Sequence, residues 1–122
     1  MNFLKICCIA VIILLNSCAT SMSPIMVHNT LPNYTKSRYL SQTDADKAVN
    51  AGGCKFLVKD RSYTAPVGLG THNDLRNGAR GIDEWVSLDK GNAYSLKSFK
   101  WVRVDQDGTT QLQLDFDTLL CE

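Results

Sequence analysis

The chain has 122 residues, with 13 basic and 12 acidic side chains, five cysteines and 44% hydrophobic residues. This length suits one small domain with a limited core. The balanced charge, without a basic run or an interleaving of basic and aromatic residues, argues against nucleic acid as a partner.

The first 17 residues have the features of a secretory signal peptide. Lys5 is followed by an uninterrupted apolar run at residues 6–15, and then by small and polar residues. The run is about half as long as the ~20 apolar residues that a membrane-spanning helix needs. We therefore expect residues 1–17 to be removed rather than to cross the membrane.

Residues 15–18, Leu-Asn-Ser-Cys, resemble the lipobox of bacterial lipoproteins. The resemblance implies that Cys18 becomes the first residue of the mature chain and carries acyl chains, palmitate among them, that anchor it stably. No Asp stands at the second position after the cysteine, where it would retain the protein at the inner membrane. The resemblance thus implies an outer-membrane lipoprotein whose domain faces the periplasm or the cell surface.

Residues 18–41 are predicted to form the lipidated cysteine and a flexible tether. They are rich in Ser, Thr, Asn and Pro and show no hydrophobic period. Fully extended, residues 19–41 would reach at most about 80 Å. The tether is either a spacer that lifts the domain off the membrane or a segment laid along a partner, and residues 42–122 would form the periplasmic domain.

Two cysteines, Cys54 and Cys121, remain for this domain, because Cys7 and Cys8 leave with the signal and Cys18 is used by lipid. In an oxidising compartment we expect them to form a disulfide. A loop of about 68 residues corresponds to about 4 kcal/mol in the chain-entropy treatment. The alternative, a redox-active or metal-binding pair, lacks a Cys-x-x-Cys spacing, and we predict no metal or other cofactor.

The first predicted elements of the domain are a helix and a strand. Ser41 and Asp44 fit a capping box, and Gly52 and Gly53 would end the helix. A strand begins at Cys54 and is expected to stop near residues 60–62. A loop with turn glycines follows at residues 65–70.

The remaining elements are a second helix and a hairpin. The helix is predicted over residues 71–81, with Thr71 as its cap and Gly81 at its end, and residues 84–88 form a short strand. Strands over residues 93–105 and 109–119 flank a Gln-Asp-Gly turn. The fold class is therefore α+β: a small antiparallel sheet with a C-terminal hairpin, one or two short helices and one disulfide.

Catalytic constellations are not recognisable in the sequence. His72 and Asp74 are close together, but no nucleophile has the spacing of a triad, and a helix cap explains His72 more simply. Asp115 and Asp117 have the period-two placement of a solvent-facing pair. A hydrated hairpin is favoured there over a metal site or an acid–base pair, and we predict no enzymatic activity.

Trp101, Phe99 and Arg103 are the candidate partner-binding residues. They share one face of the first hairpin strand, and aromatic residues beside an arginine are typical of interface centres. Core packing is the alternative for each aromatic residue. We expect one of them to be buried and Trp101 to be partly exposed.

The order of these features resembles the Rcs stress-sensor lipoproteins of the outer membrane (RcsF-like) and their small relatives. The match covers residues 53–88, with Gly53-Cys54, the Asp-Leu-Arg-Asn of residues 74–77 and Ala79 as its most specific parts. It departs at residues 80–83, where Arg-Gly-Ile-Asp stands in place of Leu-Gly-Ala-Asn, and the sensors use two disulfides. The resemblance implies a related fold and a role in stress sensing or envelope assembly.

A second resemblance is to periplasmic lysozyme inhibitors, which are small β-rich lipoproteins closed by a disulfide near the C-terminus. The helix predicted at residues 71–81 departs from their all-β barrel. We therefore expect a lipid-anchored, non-enzymatic module that binds another envelope protein. Inhibition of a host or phage enzyme such as lysozyme is the alternative, and a small hydrolase is the least favoured.

Overall fold

The computed structural model describes residues 24–105 and 109–122. The signal peptide, Cys18, the first part of the expected tether and the tip of the hairpin lie outside the described residues. The elements in chain order are helix α1 (Pro24–Thr30), a 3-10 turn (Leu31–Asn33), β1 (Arg38–Tyr39), α2 (Gln42–Asn50), β2 (Cys54–Thr64), α3 (Thr71–Leu88), β3 (Ala93–Arg103) and β4 (Thr110–Cys121).

The four strands form one sheet in the order β1-β3-β4-β2. β1 runs parallel to β3, and the other two pairings are antiparallel. Cys54 and Cys121 face each other at the end of the β2–β4 ladder, and the predicted disulfide joins them. The α+β fold with a C-terminal hairpin and one disulfide is confirmed.

The main core lies between α3 and one face of the sheet. Leu112, Leu114 and Phe116 on β4 are fully buried, as their alternation predicts. Two glycines of α3 let the helix approach the strands closely. A Cβ at Gly78 would lie 2.9 Å from a methyl group of Leu114, and one at Gly81 would overlap the ring of Tyr63.

A smaller core lies on the opposite face, beneath α2. The Ser41 side chain accepts the N–H of Asp44, which confirms this cap of the capping box. Leu40, Ala45 and Leu119 belong to the cluster. α2 covers only the disulfide end of this face, and towards the hairpin the face carries half-buried and exposed side chains, among them Gln113, Asp115 and Val102.

Asp117 was expected to face solvent, and that prediction is wrong. The residue is only 4% exposed, because the second face of the sheet is covered at this end. The carboxylate accepts the backbone N–H of Asp60 at 2.8 Å and lies 3.6 Å from the Lys97 amine. Asp115 is half-buried and accepts the hydroxyl of Ser98 at 2.9 Å.

The tether prediction is wrong for residues 24–41, which are part of the folded domain. Val27 and Leu31, four residues apart, are fully buried in the main core, and Tyr39 pairs with Tyr94. Burial raises the pKa of the Tyr94 phenol to about 12, and its oxygen is hydrogen-bonded to Thr35. Two apolar residues one turn apart are too short a pattern to stand out against polar neighbours.

The strand predicted at residues 84–88 is also wrong, because α3 continues through Gly81 to Leu88. Ile82 and Val86 keep the apolar stripe in phase and are buried. Thr71 does not cap the helix, whose N-cap is Gly70. The Asp74 carboxylate instead accepts the N–H of Gly68 at 2.8 Å, and this bond fixes the preceding loop.

Candidate functional site

The outer edge of β3 is the most distinctive surface of the fold. β1 pairs only with Ala93 and Tyr94, although β3 continues to Arg103. Within residues 24–105 and 109–122, no strand pairs with the rest of this edge. We call the stretch Ser98–Arg103 the open edge, because the β3–β4 register runs without a shift there.

The direction of the backbone groups on the open edge follows from the ladder. Ala65 donates its N–H to the Leu112 carbonyl at 2.8 Å, so the backbone of Leu112 faces the β2 side. Backbone groups alternate between the two sides of a strand. The neighbouring odd-numbered residues of β4 therefore face β3, and their register partners there are Ser98, Lys100 and Val102.

The residues between these partners must direct their N–H and C=O groups away from β4. They are Phe99, Trp101 and Arg103, the three residues singled out by sequence. The structure thus brings the predicted residues together on a regular edge that no strand within residues 24–105 and 109–122 pairs with. What sequence reasoning missed is that the backbone N–H and C=O groups of these residues point away from β4.

The side chains of Phe99 and Trp101 lie on the helix side of the sheet. Both are half-buried against the main core. Their rings pack in a T-shaped, edge-to-face arrangement with 5.6 Å between centroids, an orientation that aromatic pairs favour. The His28 ring of α1 is 6.1 Å from Phe99. Partial exposure of Trp101 is confirmed, whereas full burial of Phe99 is not observed.

Two cations beside the open edge have no acidic partner among the described residues. Lys100 and Arg103 are exposed and form no ion pair there. Lys97 differs, since a hydrogen bond to Asp60 is the main cause that raises the pKa of its amine. The free charges at the open edge would therefore favour an acidic partner.

The other outer strand, β2, is a poorer template for strand addition. Its pairing with β4 contains two register shifts, and Asp60 has a φ of 62°. Bulges and charged residues of this kind protect sheet edges against further pairing.

β2 also continues to Thr64, beyond its predicted end at residues 60–62, because the ladder with β4 resumes after the irregular stretch.

Exposed apolar residues surround the hairpin end of the sheet. Val102 and Val104 are 36% and 51% exposed. Leu69, in the loop between β2 and α3, is 84% exposed and has a φ of 57°. The loop is at the same end of the sheet because Ala65 bonds to Leu112, the register partner of Trp101. Apolar residues within the loop sequence Ala-Pro-Val-Gly-Leu-Gly were the available signal.

The other residues considered from sequence are engaged in hydrogen bonds within the fold. His72 is hydrogen-bonded to the Tyr34 hydroxyl at 2.9 Å, and Asp74 is committed to the loop. Among the described residues, no group of three His, Cys, Asp or Glu side chains could hold a metal ion. No helix in that part of the chain is long and apolar enough to cross a membrane.

Comparison of the sequence with protein-family models and with curated proteins gives no significant match, and the fold gives none among solved structures. The resemblances to stress-sensor lipoproteins and lysozyme inhibitors therefore remain expectations.

Proposed function

We propose that this protein is a lipid-anchored outer-membrane module that binds an extended segment of another envelope protein along the open edge of β3. The observation that carries the proposal is the regular, unpaired edge formed by the backbone of Phe99, Trp101 and Arg103. Strand addition is a common mode of peptide recognition. It requires no catalytic residues, in keeping with a non-enzymatic role in stress sensing or envelope assembly.

The energetics indicate how such binding would be divided between backbone and side chains. Three outward residues offer up to six hydrogen bonds, or about 6 kcal/mol at about 1 kcal/mol each. Association costs at least about 4 kcal/mol in lost freedom. The backbone would therefore give little net affinity by itself, and the free charges of Lys100 and Arg103 and the partly exposed ring of Trp101 would supply selectivity.

Lipidation at Cys18, which lies outside the described residues, would hold this edge near the bilayer. Since the fold begins at Pro24 at the latest, the intervening chain spans at most about 20 Å. His28, about one helical turn later, contacts Phe99. The partner segment is therefore expected close to the membrane surface, not across the periplasm as an 80 Å tether would allow.

Site-specific crosslinking in intact envelopes tests this proposal. A photoreactive residue at Val102 should crosslink to a partner, whereas one at Leu120, which is similarly exposed at the disulfide end, should not. In the full-length chain, Arg103→Pro removes the outward N–H, and Arg103→Ala removes only the charge. We expect capture to fall at least tenfold with Arg103→Pro and less with Arg103→Ala.

The captured protein distinguishes the roles. An outer-membrane barrel or inner-membrane regulator, lost with Trp101→Ala, would support sensing or assembly. Equal recovery by wild type, Arg103→Pro and Trp101→Ala would contradict binding at the open edge.

The second candidate function, enzyme inhibition, is favoured by the loop that carries Leu69. This side chain is exposed and its loop is held by hydrogen bonds from Gly68 to Asp74 and from Asn77 to Pro66. An ordered loop with an exposed apolar tip suits insertion into a cleft. If lysozyme is the target, the wild-type protein should inhibit it and Leu69→Asp should not, while Arg103→Pro should inhibit normally.

A further inference from the structure

A second surface, separate from the open edge, lies along the exposed side of α3. A groove of about 720 Å³ runs between this helix and the chain segment that enters β1. Its lining includes Tyr34 and Lys36 on one side and Arg76, Arg80 and Leu88 on the helix side. The twelve residue-to-residue steps from Arg76 to Leu88 correspond to about 18 Å of helix.

The walls of the groove are fixed by hydrogen bonds. Both carboxylate oxygens of Asp83 accept backbone N–H groups from the opposite wall, from Lys36 at 2.8 Å and from Ser37 at 3.0 Å. At the other end, the Tyr34 hydroxyl is bonded to His72 at 2.9 Å. The groove is therefore a built feature of the fold and not a gap between independent segments.

Three cations meet in this groove without acidic partners. Lys36, Arg76 and Arg80 are exposed, and none forms an ion pair within the described part of the chain. The Arg76 guanidinium instead lies 5.6 Å from the centre of the Tyr34 ring. Even with the full negative charge of Asp83 counted, the three cations leave this end of the groove with a net positive charge.

The opposite end of the groove has a different character. Glu84 follows Arg80 by one helical turn, and Leu88 beyond it leaves 71% of its surface exposed. A single small anion would neutralise the cations but leave the apolar end empty. Five or six extended residues would span the full ~18 Å, at about 3.3 Å per residue.

We propose that the groove binds an extended peptide segment with acidic residues at one end and an apolar residue at the other. Its carboxylates would pair with Arg76, Arg80 and Lys36, uncharged residues would pass Glu84, and the apolar residue would pack on Leu88. Arginine pairs well with carboxylates because its planar fork allows bidentate bonds. This site does not depend on the open edge of β3 or on lipidation.

Titration of the purified full-length protein with defined peptides tests the proposal. The probe is a fluorescently labelled acetyl-Glu-Asp-Ser-Ser-Leu-Leu-amide, and its neutral control is acetyl-Gln-Asn-Ser-Ser-Leu-Leu-amide. We expect saturable binding of the acidic peptide, at least tenfold weaker for the neutral peptide and for the Arg76→Gln/Arg80→Gln variant. Both arginines are exposed, so an unchanged melting temperature should show that the variant folds.

Control variants separate the groove from general charge attraction. Lys47→Gln removes an exposed cation from α2, outside both proposed surfaces, and should leave peptide affinity unchanged, whereas Leu88→Ser should weaken it. The proposal is overturned by equal binding of the neutral peptide, by equal losses in Lys47→Gln and the double arginine variant, or by absence of saturation at millimolar peptide. Binding of glucose 1-phosphate as tight as that of the peptide would also overturn it, in favour of a small-anion site.

Discussion

Removal of the Cys54–Cys121 disulfide should cost about a quarter or more of the stability of this domain. The bond joins residues 67 positions apart, which corresponds to about 4 kcal/mol of loop-closure free energy. Small domains unfold with about 5–15 kcal/mol in total. The Cys54→Ala/Cys121→Ala variant should therefore keep about 1–11 kcal/mol of its stability at 25 °C.

The urea denaturation midpoint is the quantity to measure. With a slope of about 2 kcal/mol per molar urea, a loss of 4 kcal/mol lowers the midpoint by about 2 M. Cys121 is only 7% exposed in the smaller core, so the alanine variant also loses packing. Reduced wild-type protein keeps both sulfur atoms, and the difference between the two samples isolates the packing contribution.

The result that would refute this reasoning is a loss below about 1 kcal/mol in reduced wild type. The cross-link would then constrain the unfolded chain much less than its loop length requires. A compact denatured state that already keeps β2 near β4 would be the physical reason, and a lowered denaturant slope would reveal it.

Three further changes should destabilise the fold, each measured by urea unfolding. Leu31→Ala should cost about 2–5 kcal/mol because the side chain is fully buried, whereas the same change in a free tether would cost nothing. Gly81→Ala should cost at least about 1–3 kcal/mol, since the new Cβ would overlap the Tyr63 ring. Asp89→Asn should cost about 2 kcal/mol at pH 7 by weakening two hydrogen bonds from Arg61. The hydrogen bond from Arg61 is the main cause that lowers the pKa of Asp89 in the folded protein. The stabilisation by the Asp89 carboxylate is therefore present above about pH 4 and is lost as the pH falls through the folded-state pKa. The difference in unfolding free energy between Asp89→Asn and wild type should shrink at that acidic pH.

Exposed positions provide matched controls for these three changes. Asn33→Ala lies two residues from Leu31 but on the surface, and it should leave stability within about 0.5 kcal/mol. A Cβ at Gly53 would meet only ordinary contact at 3.7 Å, so Gly53→Ala should be better tolerated than Gly81→Ala. Asp46→Asn changes an exposed acid. Equal losses in a variant and its control would contradict the contact assigned to it.

Local patterns in the sequence were sufficient where they were long or chemically specific. The alternation of Leu112, Leu114 and Phe116 predicted the buried face of β4, and the remaining cysteines predicted the disulfide. The Ser41 cap required only residues close in the chain. The strand face and the cap depend on geometry between residues close in the chain. The disulfide follows because only Cys54 and Cys121 remain once the other three cysteines are assigned to the signal and the lipid anchor.

Features that depend on distant partners could not be read in this way. Gly81 suggested a helix end, but the ring of Tyr63 occupies the space above it and the helix continues. Asp117 suggested a hydrated strand face, but α2 covers that end of the sheet. Conversely, the sequence identifies Trp101 by its place beside Phe99 and Arg103 on one strand face, but only the register shows that its backbone lies on the open edge.

The sequence by itself thus determined the α+β class, the disulfide and the hairpin, because residue periodicity and cysteine count are properties of the chain. Only the tertiary structure decided that residues 24–41 belong to the domain and that β1 covers just the start of β3. It also decided that Lys36 meets Arg76 and Arg80 in one groove. These arrangements follow from packing between segments far apart in the chain, and the free energy of that packing has no local signature in the sequence.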